Sequence, residues 1–294
     1  MNKLRRRFVI FNIIIIGAIA VIIAALIYFG APAQMPAERM IGTIVIILGL
    51  IFIGSVLSSK IAMKPVKSSW QRQLDFTADA SHELRTPLAV IQTNLELVMD
   101  NENETVGSQN KWLDNIHIET VRMTKLVDDL LTLSRSDAGE KALEYSAFSP
   151  GSIALETAAL FETAAKQKGV DIQVMADGKI QLWADISRIK QLLSILVDNA
   201  VKYSDKPGQI QIAISQKDNA VKLVVSDSGK GIAPEHLAKV FNRFYRVDKQ
   251  IADGYGLGLS IAEWIVKEHG GSIKADSVPG EGTRFIVCLP KRRT

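Results

Sequence analysis

Ser81-His82-Glu83-Leu84-Arg85-Thr86-Pro87-Leu88 sets an imidazole beside a carboxylate on a strongly patterned helix, and the pattern around it decides how this chain is organised. Apolar or small residues recur at 74, 77, 81, 84, 88, 91, 95 and 98, alternately three and four apart. That spacing is the seam of a helix packed in a coiled-coil-like bundle. His82 lies next to the seam, not in it. Residue i of a helix stacks over i+4, so Thr86 shares the face of His82, while Glu83 is close enough to orient or deprotonate the ring. Pro87 removes one helical hydrogen bond, and a bend is expected just below that site. A histidine on a helix is usually structural or solvated; these neighbours make His82 the leading candidate for a chemically active residue.

The helix carrying His82 is expected to run to about Asp100, where Asn101-Glu102-Asn103-Glu104 and Gly107-Ser108 supply turn chemistry. A second seam follows at Leu113, Ile116, Thr120, Met123, Val127, Leu130 and Ser134. Two heptad helices joined by a short loop make an antiparallel hairpin, placed at residues 64–137, which buries only one face. Pairing two copies into a four-helix bundle covers the remaining stripe, so a homodimer is expected. Residues 138–150, with Gly139 and Glu140-Lys141, read as a linker.

From 151 to 294 the pattern changes to helices mixed with alternating strands. Helices are expected near Ser152–Lys168, Asp185–Tyr203 and Leu257–His269. Strands are expected near 171–175, 180–183, 209–216, 220–226, 272–276 and 283–289. Strands mixed with helices without strict alternation suggest an α/β sandwich of the α+β kind. Cys288, the single cysteine, lies in an alternating run and reads as a buried strand residue.

The amino end holds most of the apolar excess of a chain that is 47% hydrophobic with a mean hydropathy of +0.13. Residues 8–29 and 40–60, the latter built on Met40–Leu57, are each near the length that spans a hydrocarbon core of roughly 30 Å. A cleaved signal peptide competes for the first stretch, but the apolar run exceeds a usual signal core and Ala31-Pro32-Ala33 is a weak cleavage site. Lys3, Arg5, Arg6 and Arg7 precede the first stretch and Lys60, Lys64 and Lys67 follow the second. By the positive-inside rule both flanks are cytoplasmic, so residues 1–63 are expected to anchor the chain in the cell membrane with both termini inside. Only Gly30–Arg39 remain outside, too few for a folded ligand domain. The net charge of +4 is explained by these flanks and by Lys291-Arg292-Arg293, and no nucleic-acid partner is needed.

Three further stretches carry chemistry. Asp198-Asn199-Ala200-Val201-Lys202-Tyr203 ends an amphipathic helix, and an amide with a lysine three residues on projects as a metal or phosphate contact beside a positive charge. Asp227-Ser228-Gly229-Lys230-Gly231 follows an alternating strand, and its carboxylate can accept from an amino group while the glycines let a flat ring approach the backbone. Gly254-Tyr255-Gly256-Leu257-Gly258-Leu259 opens a helix whose N–H groups and positive end can meet phosphate oxygens. Each alone is more often an ordinary helix end or turn.

Taken in order with Phe241-Asn242-Arg243-Phe244-Tyr245-Arg246, these strings resemble the H, N, glycine and F boxes of bacterial membrane-bound sensor histidine kinases of two-component systems. The resemblance spans about residues 65–290 and implies a HisKA-type helical hairpin followed by a GHKL-type (Bergerat) ATP-binding domain. It implies that the γ-phosphoryl group of ATP passes to His82, with Glu83 as general base, and then to an aspartate of a response regulator. Thr86, in the H-E-x-x-T pattern, positions a water that removes phosphate from that regulator. Asn199 is implied to bind Mg2+, Lys202 and Tyr203 the phosphates, and Asp227, with Gly229 and Gly231, the adenine. Arg243, Gly254, Gly256, Leu257 and Gly258 are implied to surround the phosphates, with Val247–Asp253 as a lid. Ile195 stands where most relatives carry a second asparagine, so the metal shell is expected to be poorer or completed by water. His117, His236 and His269 match no motif and are read as surface or packing residues.

Two other classes fit the nucleotide boxes. One is a GHKL-type ATPase driving a conformational change; the hairpin with His82-Glu83 argues against it. The other is a membrane-tethered dimeric scaffold that binds ATP without chemistry, which Ile195 leaves open. With so little chain outside, membrane lipids or a neighbouring membrane protein are the expected signal source.

Overall fold

Alternating burial along the strands at the carboxyl end builds the core that positions everything else. A computed structural model describes residues 37–291 apart from 102, 139–142, 205–206, 218 and 249–253, together with 14, 16–18, 20, 21 and 25. The chain divides into two units, Met1–Ala78 and Asp79–Thr294. In order, the elements are α1 (Ala37–Asp100), α2 (Val106–Ala138), β1 (Tyr145–Phe148), α3 (Pro150–Gln167), β2 (Val170–Ala176), β3 (Leu182–Asp185) and α4 (Ile186–Tyr203). They continue with β4 (Gly208–Lys217), β5 (Ala220–Asp227), α5 (Pro234–Leu237), α6 (Gly258–Glu268), β6 (Ser272–Val278) and β7 (Gly282–Pro290).

In the first unit the described elements belong to the amino-terminal part of α1. The expected span 8–29 lies almost wholly outside the described residues, and in 40–60 the backbone is helical but most side chains are undescribed. Among the described residues, no helix is long and apolar enough to cross a membrane.

In the second unit, α1 continues through Pro87 to Asp100, so the proline does not end the helix. The α1–α2 turn is closed by Gln109, whose Nε2 donates to the carbonyls of Val98 (3.3 Å) and Asn101 (2.6 Å), satisfying acceptors that a helix end leaves open. Farther along, Asn115 Nδ2 donates to Asn94 Oδ1 at 3.1 Å, and Asn94 Nδ2 donates to Val90 O. These bonds join the two helices as the expected antiparallel hairpin. The second seam is met in part: Leu113, Ile116, Met123 and Leu130 are half-buried, but Thr120, Val127 and Ser134 are exposed and Leu126 and Leu133 are fully buried instead. α2 also packs on α6, which draws a neighbouring face into the core and leaves that part of the predicted stripe open.

The main sheet has the order β2-β4-β5-β7-β6 and is antiparallel except for β2 and β4. Ile212 pairs with Val225 and Val225 with Phe285; Ile214 pairs with Leu223 and Leu223 with Val287. All six belong to one buried face, because alternate residues of a strand point the same way. Helices α3, α4 and α6 cover it, giving the two layers of an α/β sandwich. β1 pairs antiparallel with β3 beside this sheet, so the carboxyl end of the expected 138–150 linker is a strand. Cys288 lies in β7 as expected, but is half-buried rather than buried.

Asp185 ties β3, α4 and α6 together. Its Oδ1 accepts from Arg188 N–H as the N-cap of α4 and from the Ser187 hydroxyl, and Oδ2 accepts from Glu144 N–H. Its own N–H donates to Nε2 of the buried His269, whose Nδ1 bonds Ile265 O. This fixes the neutral Nδ1–H tautomer and makes His269 a packing residue with a polar task. Burial pushes the Asp185 carboxyl up, but the bonds from Ser187, Arg188 and Glu144 outweigh it and leave the pKa below its ordinary value of 3.8. A carboxylate depressed in the folded state stabilises above its unfolded pKa, and that contribution fades as pH falls through the lower folded value. Asp185→Ala is therefore expected to lose about 1 kcal/mol of unfolding free energy at neutral pH. Urea titrations should show the difference shrinking once the pH drops below 3.8.

Candidate functional site

Helix α4 has two faces. Ile189, Leu192, Leu193, Leu196 and Val197 enter the core, while Ser194, Ile195, Asp198, Asn199, Lys202 and Tyr203 line a cavity of about 900 Å³. That volume is of the size that holds a drug-sized ligand. The remaining walls are Asp227 at the end of β5, Gly231 in the turn after it, Tyr245–Asp248, and Gly254–Leu259 leading into α6. The hairpin closes the cavity with Glu83, Thr86, Pro87 and Val90 of α1 and Glu119, Arg122, Lys125 and Asp129 of α2.

Asp227 Oδ1 accepts from Gly229 N–H at 2.9 Å and from Thr283 N–H at 3.2 Å. Burial pushes its carboxyl above the ordinary value, and the two backbone donors oppose that push. With both donors on Oδ1, Oδ2 is the oxygen free to meet a ligand amino group. The turn that follows must come close to its neighbours. Gly231 has φ +68 and a side-chain carbon there would lie 2.1 Å from Val278 O, so only glycine fits. Thr283, which joins this turn through Asp227, also borders the cavity.

Asn199 Nδ2 donates to Ile195 O at 3.0 Å, one turn back on α4. This bond holds the amide so that Oδ1 remains for a cation. Among the described residues no group of three His, Cys, Asp or Glu side chains could hold a metal. A divalent ion held here would take most of its ligands from oxygens of a bound ligand and of water, the kind of donor set magnesium accepts. Lys202 Nζ donates to Asp198 Oδ2 at 2.7 Å, and the same oxygen lies 3.7 Å from Lys125 Nζ. The glycine segment abuts these groups: a side-chain carbon on Gly254 would lie 3.9 Å from Lys202 Nζ, and one on Gly258 would lie 3.2 Å from Ile195 Cγ2. Gly256, Leu257 and Gly258 bring the first turn of α6 to the cavity, where its unpaired N–H groups and positive end favour an anion.

Of the residues expected at the site, Glu83, Thr86, Asn199, Lys202, Tyr203, Asp227, Gly231, Gly254, Gly256, Leu257 and Gly258 border this one cavity. Three do not. His82 is exposed on the adjacent face of α1, one residue before Glu83. Gly229 lies behind Asp227, where a side-chain carbon would meet Tyr203 O at 2.2 Å, so its part is to let the turn pack on α4. Arg243 does not reach the cavity; Arg246 does. Phe244 between them has φ 59, a left-handed conformation rare for a bulky residue, and it redirects the chain so that Tyr245 and Arg246 form the wall. Tyr245 is anchored by its hydroxyl, 2.6 Å from His236 Nδ1. Residues 249–253 of the expected lid lie outside the described residues.

Sequence reading missed Lys125, Asp129, Asp198 and Arg246. Only Asp198 had a local signal, its spacing of four from Lys202. Burial pushes the Asp129 carboxyl up to about 6; Lys125 and Lys202 pull it down, and Asp128 and Asp198 add to the rise.

Comparison with known proteins agrees with this architecture. The family described as "His Kinase A (phospho-acceptor) domain" matches residues 72–139. The family described as "Histidine kinase-, DNA gyrase B-, and HSP90-like ATPase" matches 184–293. The sensor histidine kinase RppB of Synechocystis sp. is 32% identical over 83% of this chain and 55% of its own length. The signal transduction histidine-protein kinase BaeS of Escherichia coli is 35% identical over 78% of this chain and 49% of its own. The chain thus spans about half the length of these curated relatives. Among solved structures, Acinetobacter baumannii histidine kinase AdeS matches 72% of this chain and 98% of its own with a TM-score of 0.59 at 25% identity. Histidine kinase ThkA in complex with response regulator protein TrrA matches 79% of this chain and 66% of its own, with a TM-score of 0.62 at 26% identity. A phosphoacceptor hairpin, a nucleotide-type ATPase fold behind it and relatives of one kind agree: the chain belongs to the sensor histidine kinases of two-component systems.

Proposed function

We propose that this protein is an ATP-dependent protein-histidine kinase that phosphorylates itself on His82 and passes the phosphoryl group to an aspartate of a cognate response regulator. One observation carries the reading: Asn199, Lys202, Asp227 and the Gly254–Gly258 segment of the sandwich and the Glu83 and Thr86 face of the hairpin border one cavity. Asp227 Oδ2 accepts the adenine amino group, and Gly231 lets the ring approach. Lys202, Tyr203, Gly254, Gly256 and the first turn of α6 hold the phosphates. Asn199 Oδ1 holds magnesium, which supplies charge neutralisation to the polyphosphate. Phosphoryl transfer depends chiefly on positioning and electrostatics, and this set provides both.

His82 is exposed, which suits a residue that must meet two different partners in turn. Glu83 beside it takes the imidazole proton, and a ring nitrogen attacks the γ-phosphorus as the bond to the bridging oxygen breaks and ADP leaves. Thr86, on the same helical face as His82, positions a water for dephosphorylating the regulator. The partner regulator is also supported by the solved complex of ThkA with TrrA. Exposed Leu88 and Leu95 on α1 and Val127 on α2 form the stripe that a second copy covers in a four-helix bundle. The apolar stretches 8–29 and 40–60 are read as two membrane spans, with the kinase part in the cytoplasm and lipids or a membrane protein as signal source.

Incubated with γ-labelled ATP and magnesium, the chain is expected to acquire acid-labile phosphate, and His82→Gln to acquire none; label persisting in that variant contradicts the assignment. Asp227→Asn should weaken adenine nucleotide binding about 10- to 100-fold, the loss of one hydrogen bond to a charged acceptor. Calorimetric titration checks this. Asn199→Ala should weaken magnesium-dependent binding about ten-fold or more while metal-free binding changes little; equal loss with and without magnesium would exclude Asn199 as the metal ligand.

A further inference from the structure

Lys202 and Lys125 converge on one carboxylate oxygen from different elements. Lys202 Nζ lies 2.7 Å from Asp198 Oδ2 and Lys125 Nζ 3.7 Å from the same atom. The Lys202 and Asp198 side chains are 18% and 28% exposed, whereas that of Lys125 is 66% exposed. We propose that Lys125, a residue of the hairpin, is a positioning residue of the nucleotide site, taking over the Asp198 carboxylate when a bound polyphosphate draws Lys202 away. This rests on the reading of Lys202 as a phosphate contact.

The argument is electrostatic. Lys202 cannot serve Asp198 and a phosphate equally well, because one ammonium has one best position between two anions. The glycine segment leaves it somewhere to go, since Gly254 presents no side chain where a β-carbon would lie 3.9 Å from Nζ. Once Lys202 turns, Asp198 is left half-buried, unpaired by its own domain and close to a polyanion. Breaking a partly buried pair costs more than an exposed pair is worth, because the abandoned charge keeps its desolvation penalty. Lys125 removes that cost. Its long exposed side chain needs to shift by only about an ångström to reach contact distance.

Asp129, four residues farther along α2, borders the same cavity. Its carboxyl is pushed up to about 6 chiefly by its own burial, with Lys125 and Lys202 opposing the rise. Lys125 thereby links the hairpin to the nucleotide site: the pairing that nucleotide binding favours exists only while the sandwich is docked on α2.

The test is calorimetric titration of the full chain with the non-transferable ATP analogue adenylyl imidodiphosphate and magnesium. Lys125→Ala is expected to weaken binding about two- to five-fold, the range of a partly exposed ion pair, and Lys125→Arg to restore it. In an Asp198→Asn background, where no carboxylate needs a new partner, Lys125→Ala should have no further effect. Unchanged binding in Lys125→Ala, or the same loss with and without the Asp198 carboxylate, would overturn the proposal while leaving the nucleotide site intact. Absence of binding by the unaltered chain would overturn both. Lys125 lies on the helix surface, so loss of the fold does not confuse the result.

Discussion

The division of α4 into an apolar and a polar face is the constraint on which the site depends. Seven residues of this helix are buried, and they fix its rotation about its own axis against the sheet. Fully burying a leucine contributes about 2 kcal/mol, so turning α4 to hide Asn199 or Lys202 would expose several such groups at once. Polar side chains that sit opposite a packed stripe need no separate device to aim them. The N-cap at Asp185 then fixes where the helix begins, and the Tyr203 carbonyl at its other end receives Lys230 N–H from the turn after β5. Helix and turn are thereby registered, and with them Asn199 and Asp227.

Much of this was legible because it is periodic. The heptad spacing around His82 and the amphipathic run before Asn199 each correspond to a helix, and the alternating strands correspond to the sheet. β1 was not legible: Tyr145–Phe148 becomes a strand only because Leu182–Asp185 lies alongside to pair with it. At the far end of the second seam Leu126 and Leu133 are buried in place of Val127 and Ser134, because heptad spacing alone does not distinguish a face reserved for a second copy from one covered by α6. Arg243 was the expected contact, yet Arg246 is the one that borders the cavity; the difference turns on Phe244 entering the left-handed region, which no local preference announces.

Contacts between the hairpin and the sandwich were invisible for a different reason. Lys125 and Asp129 look like ordinary solvated positions on a helix of mixed charge, and Asp198 lies more than sixty residues away. Only docking brings the groups together. The same holds for His269, which matches no motif yet joins β3 to α6 through both ring nitrogens.

The partly buried Asn94–Asn115 bond makes the hairpin a mechanical unit. Leucines facing leucines can slip past one another by a fraction of a turn with little penalty, but two amides cannot part in an apolar seam without each forfeiting its partner. With Gln109 clamping the carbonyls at the bend, shear between α1 and α2 is resisted at two levels. Displacement imposed on one helix must therefore be inherited by the other as tilt or rotation of the pair, and both Glu83 and Lys125 would move against the sandwich in concert.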